Sequence, residues 1–323
     1  MNPSTKGAPD APEPPDAPAG TGIGQRKRAW RWVLAALISV AFLVWVAGQA
    51  DWPALQAASA RLSLVQWALA SLVLWITYVI RAARLHQEFK GRTALGLLDW
   101  LRISLMHNTL VNWLPLRSGE VAFPLLLKRE AGLPLSDSLS ALLWLRLQDA
   151  LVLVGVGLVC WPGWPWGLRV GLVVLALVLI LTLPLLMNRL KAWSGSWPKR
   201  GLAWRNAFFS PHRHAKPIWA LTILNWTVKL AVQATLLAWL LPAPWTTAWL
   251  GAVGAEWAVF LPLQGWAGVG TYEAGAALAM GLEGLDWAVG LQFALVMHIW
   301  VLANATLAGL LAGLVTVQHS QRA

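Results

Sequence analysis

Long apolar runs separated by short polar connections pattern this chain of 323 residues. Stretches at 32–50, 64–80, 139–160, 168–187, 218–241 and 287–317 are each long and apolar enough to predict a bilayer-crossing helix. The first follows Arg26-Lys27-Arg28 and Arg31. It is too long for a signal-peptide core and comes after a long tail, so it reads as an uncleaved anchor. Residues 1–25 are rich in Pro, Ala, Gly and Asp without periodicity, which predicts a disordered tail before a membrane domain at 26–317 and a short tail at 318–323.

Two regions depart from this pattern. Residues 97–127 are apolar at both ends but are interrupted by Asn112-Trp113-Leu114-Pro115-Leu116-Arg117-Ser118-Gly119-Glu120. The part after the break, 121–127, would be only about 10 Å long as a helix and cannot span. A re-entrant hairpin turning at Pro115–Gly119 is predicted instead. Residues 248–280 repeat the design, with Leu261-Pro262-Leu263 followed by the glycine-rich turn Gly265, Gly268 and Gly270 and then Glu273. Each Leu-Pro-Leu is followed by a Gly-Leu and an Asp, Gly132-Leu133 with Asp137 and Gly281-Leu282 with Asp286, and the two offsets differ by two residues. Each Asp is expected to cap the next long helix, and Asp149 aligns with His298. The fold expected is an all-α polytopic integral membrane protein with about six full spans and two re-entrant helical hairpins, related as an inverted repeat meeting at the midplane.

Composition supports the membrane class: 58% of residues are hydrophobic and 12% charged, about half the share usual in soluble proteins. The net charge of +11 has an address. Arg81, Arg84, Lys90 and Arg92 follow the second run, and seven basic residues lie in 188–217, whereas the alternate connections hold only Arg61. Basic connections stay in the cytoplasm, so both termini are expected there. The charge then fixes orientation, and nucleic acid is not an expected partner. Trp residues near run ends, such as Trp161, Trp164, Trp166, Trp245 and Trp249, read as interfacial anchors.

The remaining ionisable residues fall inside apolar segments, where a charge at the bilayer centre costs roughly 3 kcal/mol or more and demands pairing or a wet cavity. Arg146 and Asp149 share a helix face at a spacing of three. Guanidinium grips phosphate oxygens with two parallel bonds. Arg117 and Arg146 are therefore candidates for a phosphate-bearing headgroup, with Glu120 and Asp149 holding them or taking up protons; all four could equally be structural ion pairs. Glu273 either caps the second arm of its hairpin or titrates in a cavity. Asp99 and Arg102 read as a structural pair near the membrane edge, His107 and His298 as satisfied within the bundle, and Lys229 and Glu256 carry no assignment. No metal-site spacing, phosphate loop or nucleophile elbow occurs, and no cofactor or catalytic residue is expected.

Asn112-Trp-Leu-Pro115-Leu-Arg117-Ser-Gly119-Glu120, with Lys128-Arg129, Gly132, Arg146 and Asp149, resembles the flippase-like transmembrane domain of bacterial lysylphosphatidylglycerol synthases; the block from Pro262 to Glu273 resembles that family's second motif. The resemblance implies a membrane domain that moves polar or anionic phospholipids between leaflets. Headgroup contacts are expected at Arg117, Glu120, Arg146, Asp149, Glu273 and Asn112, with membrane lipids of the bacterial inner membrane as partners. Phe123 stands where members often carry an arginine. The chain stops at Ala323, so the soluble synthase domain is expected to be absent and aminoacyl transfer is not implied. An integral-membrane transferase acting on a lipid carrier, or a non-catalytic partner of a separate lipid-modifying enzyme, are the alternatives.

Overall fold

Inside a bilayer every backbone N–H and C=O must find a partner within the protein, and helices satisfy that condition locally. In the computed structural model all described regular elements are helical. The structure describes residues 52–193, 216–261 and 265–315, with isolated positions 40, 44 and 48. The predicted first span at 32–50, the tails and Pro262 lie outside the described residues.

Among the described residues ten α-helices follow in order, α1 (Trp52–Arg61), α2 (Leu64–Glu88), α3 (Leu97–Trp113), α4 (Ala122–Ala131), α5 (Leu135–Cys160), α6 (Trp166–Trp193), α7 (Lys216–Leu240), α8 (Trp245–Ala258), α9 (Thr271–Gly281) and α10 (Trp287–Val315). Four of them, α2, α5, α7 and α10, are long and apolar enough to cross a membrane. Helix α6, 28 residues long, covers the predicted span at 168–187.

Local chemistry sets the ends. Helix α2 starts at a capping box, in which the Ser63 hydroxyl accepts from the Gln66 backbone N–H at 3.3 Å and the Gln66 side-chain Oε1 accepts from the Ser63 N–H at 2.8 Å. It does not stop where the apolar run stops but continues through Arg81 and Arg84 to Glu88. Helix α10 starts where the Asp286 carboxylate accepts from the N–H groups of Ala288 and Val289 at 2.9 and 3.1 Å, as expected of a cap. Asp137 does not cap α5. Pro134 holds that position, and Asp137 lies in the first turn, where it suits the helix dipole and pairs with Arg92.

Both broken regions are hairpins. Helix α3 ends at Leu114, whose extended backbone (φ −84°, ψ 130°) is what the following Pro115 requires. A 3-10 segment, Pro115–Val121, makes the turn. Helix α4 then returns beside α3, with Phe123 against His107 and Glu130 paired to Arg102, and ends on the left-handed Gly132 (φ 64°). The expected Asp99–Arg102 pair is not formed. Asp99 instead accepts from the Gly96 N–H at 3.0 Å at the start of α3, where an orphan donor is available, and Arg102 reaches across the hairpin. In the second hairpin α8 and α9 lie antiparallel around a short 3-10 segment, Trp266–Gly268.

Gly119 is the tightest point of the first turn. A Cβ there would lie 2.3 Å from the Leu110 carbonyl oxygen, part of the α3 backbone. Gly119→Ala is expected to lower unfolding stability in detergent by about 1–3 kcal/mol, the usual cost of overpacking; a thermal melt that matches the wild type would contradict this packing.

The two hairpins belong to two units of opposite direction. Arg84 meets Asp149 and Arg92 meets Asp137, so α2 and α5 run antiparallel. Trp300 donates to Ser71 and Trp75 donates to Asn304, so α2 and α10 run parallel. Helices α5 and α10 are therefore opposed; Trp144 meets Trp219 and Asp149 meets Trp226, so α7 runs parallel to α5 and opposes α2. The first arm of each hairpin packs on the last helix of the other unit. Thr109 on α3 donates to the Ala305 carbonyl of α10 at 2.6 Å, and Trp257 on α8 donates to the Leu153 carbonyl of α5 at 2.9 Å. The two 3-10 turns touch, as in transporters built from inverted repeats.

Candidate functional site

The site lies where the two hairpins meet. Helix α2 turns Thr77, Arg81 and Arg84 to one side at spacings of four and three, and Asn108 and Asn112 on α3 stand four apart. With Arg146 and Asp149 of α5, Asn225, Trp226 and Lys229 of α7, Glu256 of α8, and Gly268, Tyr272 and His298, they line a cavity of about 100 Å³ whose wall also carries Val111, Val259, Phe260 and Val301. Four cations (Arg81, Arg84, Arg146, Lys229) and two carboxylates (Asp149, Glu256) line it.

Three linked groups of side chains hold this wall. In the first, Arg84 donates to Asp149 at 2.6 Å, to the Leu145 carbonyl at 2.9 Å and to Gln148 at 3.1 Å. Trp226 donates to the same Asp149 oxygen at 3.0 Å, while Arg146 bridges Asp149 (3.4 Å) and Glu120 (2.7 Å). His107 stands 3.4 Å from the other Glu120 oxygen. In the second, Glu256 accepts from Lys229 at 2.7 Å and from Gln233 at 2.8 Å, and Gln233 also donates to the Tyr272 hydroxyl at 3.1 Å. The Lys229 ammonium lies 5.0 Å from the centre of the Trp226 ring, a cation–π contact. In the third, Glu273 accepts from the Gly270 N–H at 2.7 Å, capping α9, and faces His298 at 2.6 Å.

Among the described residues Arg81 forms no ion pair, its partner being the neutral Asn108 at 3.2 Å. A cation in an apolar body, facing a cavity and bonded to an amide, is a ready partner for an anion. Arginines converging from α2 and α5 offer several N–H donors in fixed planes, the geometry suited to phosphate oxygens.

Asn112, Arg146 and Asp149, expected at the headgroup, and Gly268, expected at a hairpin turn, line the cavity. Glu120 stands behind Arg146, and Glu273 behind His298. The Arg117 side chain lies outside the described part of the structure, though its backbone belongs to the first turn. Gly268 and Gly270 have positive φ (79° and 91°), the conformation that favours glycine there. Gly265 is buried beside them.

The residues that sequence reasoning missed are Arg81, Arg84 and Trp226. The two arginines directly follow an apolar run and read as a basic connection. Their spacing from Thr77 and Tyr78, continuing one helix face, was the available signal.

A family model described as the lysylphosphatidylglycerol synthase TM region matches residues 32–309 of the chain. The chain belongs to this family. It is a multi-pass membrane protein, and membership ties it to a membrane lipid-related function. No curated protein and no solved structure matches the chain. Phe123, standing where the family resemblance suggests an arginine, is 1% exposed and packs on the His107 ring.

Proposed function

We propose that this protein carries a lipid with an anionic, phosphate-bearing headgroup between the leaflets of the bacterial inner membrane. The observation that carries the reading is the cavity between two opposed hairpins, with twice as many cations as carboxylates on its wall. The headgroup enters the cavity while its acyl chains stay in lipid. Arg81, Arg84, Arg146 and Lys229 bind the phosphate, with Asn112 as a neutral donor and Arg117 at the turn; Glu120 and Asp149 hold the arginines in position. The basic segments at 26–31 and 188–217 face anionic lipid at the cytoplasmic surface, which leaves both termini inside. A separately encoded lipid-modifying enzyme would supply or consume the lipid.

The test is lipid binding by purified protein. Short-chain phosphatidylglycerol is expected to bind the wild type and to bind Arg146→Ala at least about tenfold more weakly, since hydrogen bonds to charged groups are worth about 1.5–3 kcal/mol. Glu120→Gln is expected to weaken binding less, because Arg146 keeps its charge but loses an anchor. Equal affinity in all three proteins would place the headgroup elsewhere.

A further inference from the structure

Each hairpin is tied to the long helix that follows it by a carboxylate near its turn. Glu120 grips Arg146, 26 residues later, and Glu273 grips His298, 25 residues later. The two ties are alike in span but not in aligned position, since Asp149 is the residue that aligns with His298, and their chemistry differs. Guanidinium stays charged at any physiological pH, whereas imidazole is the side chain that changes charge between pH 5 and 8.

The second tie is deeply enclosed. The Glu273 side chain is 0% exposed and that of His298 is 4% exposed. His298 Nδ1 and Glu273 Oε1 are 2.6 Å apart, and the opposite edge of the ring borders the cavity beside Gly268, where a Cβ would lie 3.7 Å from Nε2. The imidazole therefore spans the distance between a buried carboxylate and the headgroup cavity. Tyr272 stacks on it, with ring centres 4.3 Å apart. The charged groups that share the cavity wall with His298 are Arg81 and Arg84 of α2, Arg146 and Asp149 of α5, and Lys229 of α7 with Glu256 of α8, the last two paired with each other. From α3 come the neutral Asn108 and Asn112.

We propose that Glu273 and His298 form a proton-binding site linked to occupation of the cavity by an anionic headgroup. This rests on the headgroup reading above. As the headgroup enters, the pair takes one proton from water, and His298 becomes an imidazolium between two anions, Glu273 and the phosphate. The proton returns to water when the lipid leaves. Linkage then fixes the sign: a ligand that favours the protonated pair binds more tightly as pH falls.

The experiment measures the affinity of the full-length protein for short-chain phosphatidylglycerol from pH 5 to 8, with an indicator dye counting protons in weak buffer. The phosphodiester keeps its charge throughout, so any slope belongs to the protein. For the wild type, affinity is expected to rise by up to about tenfold per pH unit on acidification, with uptake approaching one proton per lipid. His298→Gln and Glu273→Gln are expected to bind with no slope, and His298→Lys, permanently charged, to bind tightly and without slope. A flat wild-type profile, or a slope preserved in His298→Gln and His298→Lys, overturns the proton site. Absence of lipid binding to the wild type overturns the headgroup site itself, and the proton site with it.

Discussion

Replacing Arg84 with Ala is expected to abolish lipid binding and to cost about 3–5 kcal/mol of stability, the penalty of stranding one member of a buried ion pair. Arg84 is 3% exposed and is the closest cation to Asp149. Without it Asp149 retains the longer contact to Arg146 and the Trp226 N–H. The two effects separate in a second protein. Arg84→Met combined with Asp149→Leu removes both charges, and apolar replacement of a buried pair is commonly neutral or stabilising. Stability of the double variant should recover to near the wild-type level, while binding of phosphatidylglycerol stays absent. Recovery of binding together with stability would show that the pair only joins α2 to α5.

Gly254→Val is expected to remove most of the folded, monodisperse protein from a size-exclusion profile in detergent. Helices α8 and α9 touch backbone to backbone. A Cβ on Gly254 would lie 2.3 Å from the Gly275 carbonyl oxygen and 2.5 Å from the Ala279 methyl, and a Cβ on Gly275 would lie 2.5 Å from the Gly254 oxygen. Small residues allow this approach, and packing rather than the hydrophobic effect joins helices in lipid. The hairpin cannot yield to a valine without parting its arms, so the cost should reach or exceed the top of the ~1–3 kcal/mol range for overpacking. Gly281→Ala, with nothing within 4 Å of its Cβ, serves as the control and should behave as the wild type.

The hairpins were legible in the sequence because Pro115, Gly119, Gly268 and Gly270 break apolar stretches that otherwise have no reason to contain them. Asp149 and His298, which align when the two breaks are superposed, both line the cavity. What escaped was partnership. Arg84 finds Asp149 65 residues away, and nothing local to α2 distinguishes an arginine entering the bundle from one leaving the membrane. Asp99 and Arg102 have the spacing of an intrahelical pair, yet a free N–H at the start of α3 and a glutamate on α4 compete better. Asp137 has a capping residue type, but Pro134 already fixes the start of α5. In each case a tertiary or terminal partner displaced the nearest neighbour in sequence.

Leaflet exchange in sealed vesicles bears most directly on lipid carriage through the cavity. Fluorescent phosphatidylglycerol is placed in both leaflets, and a membrane-impermeant quencher then reads the outer one. Vesicles holding the wild type should lose well over half of their fluorescence as inner-leaflet lipid moves out, whereas those holding Arg84→Met with Asp149→Leu should stop near half, as protein-free vesicles do. Wild-type vesicles that also stop near half, or a double variant that exchanges lipid as the wild type does, would contradict carriage through this site.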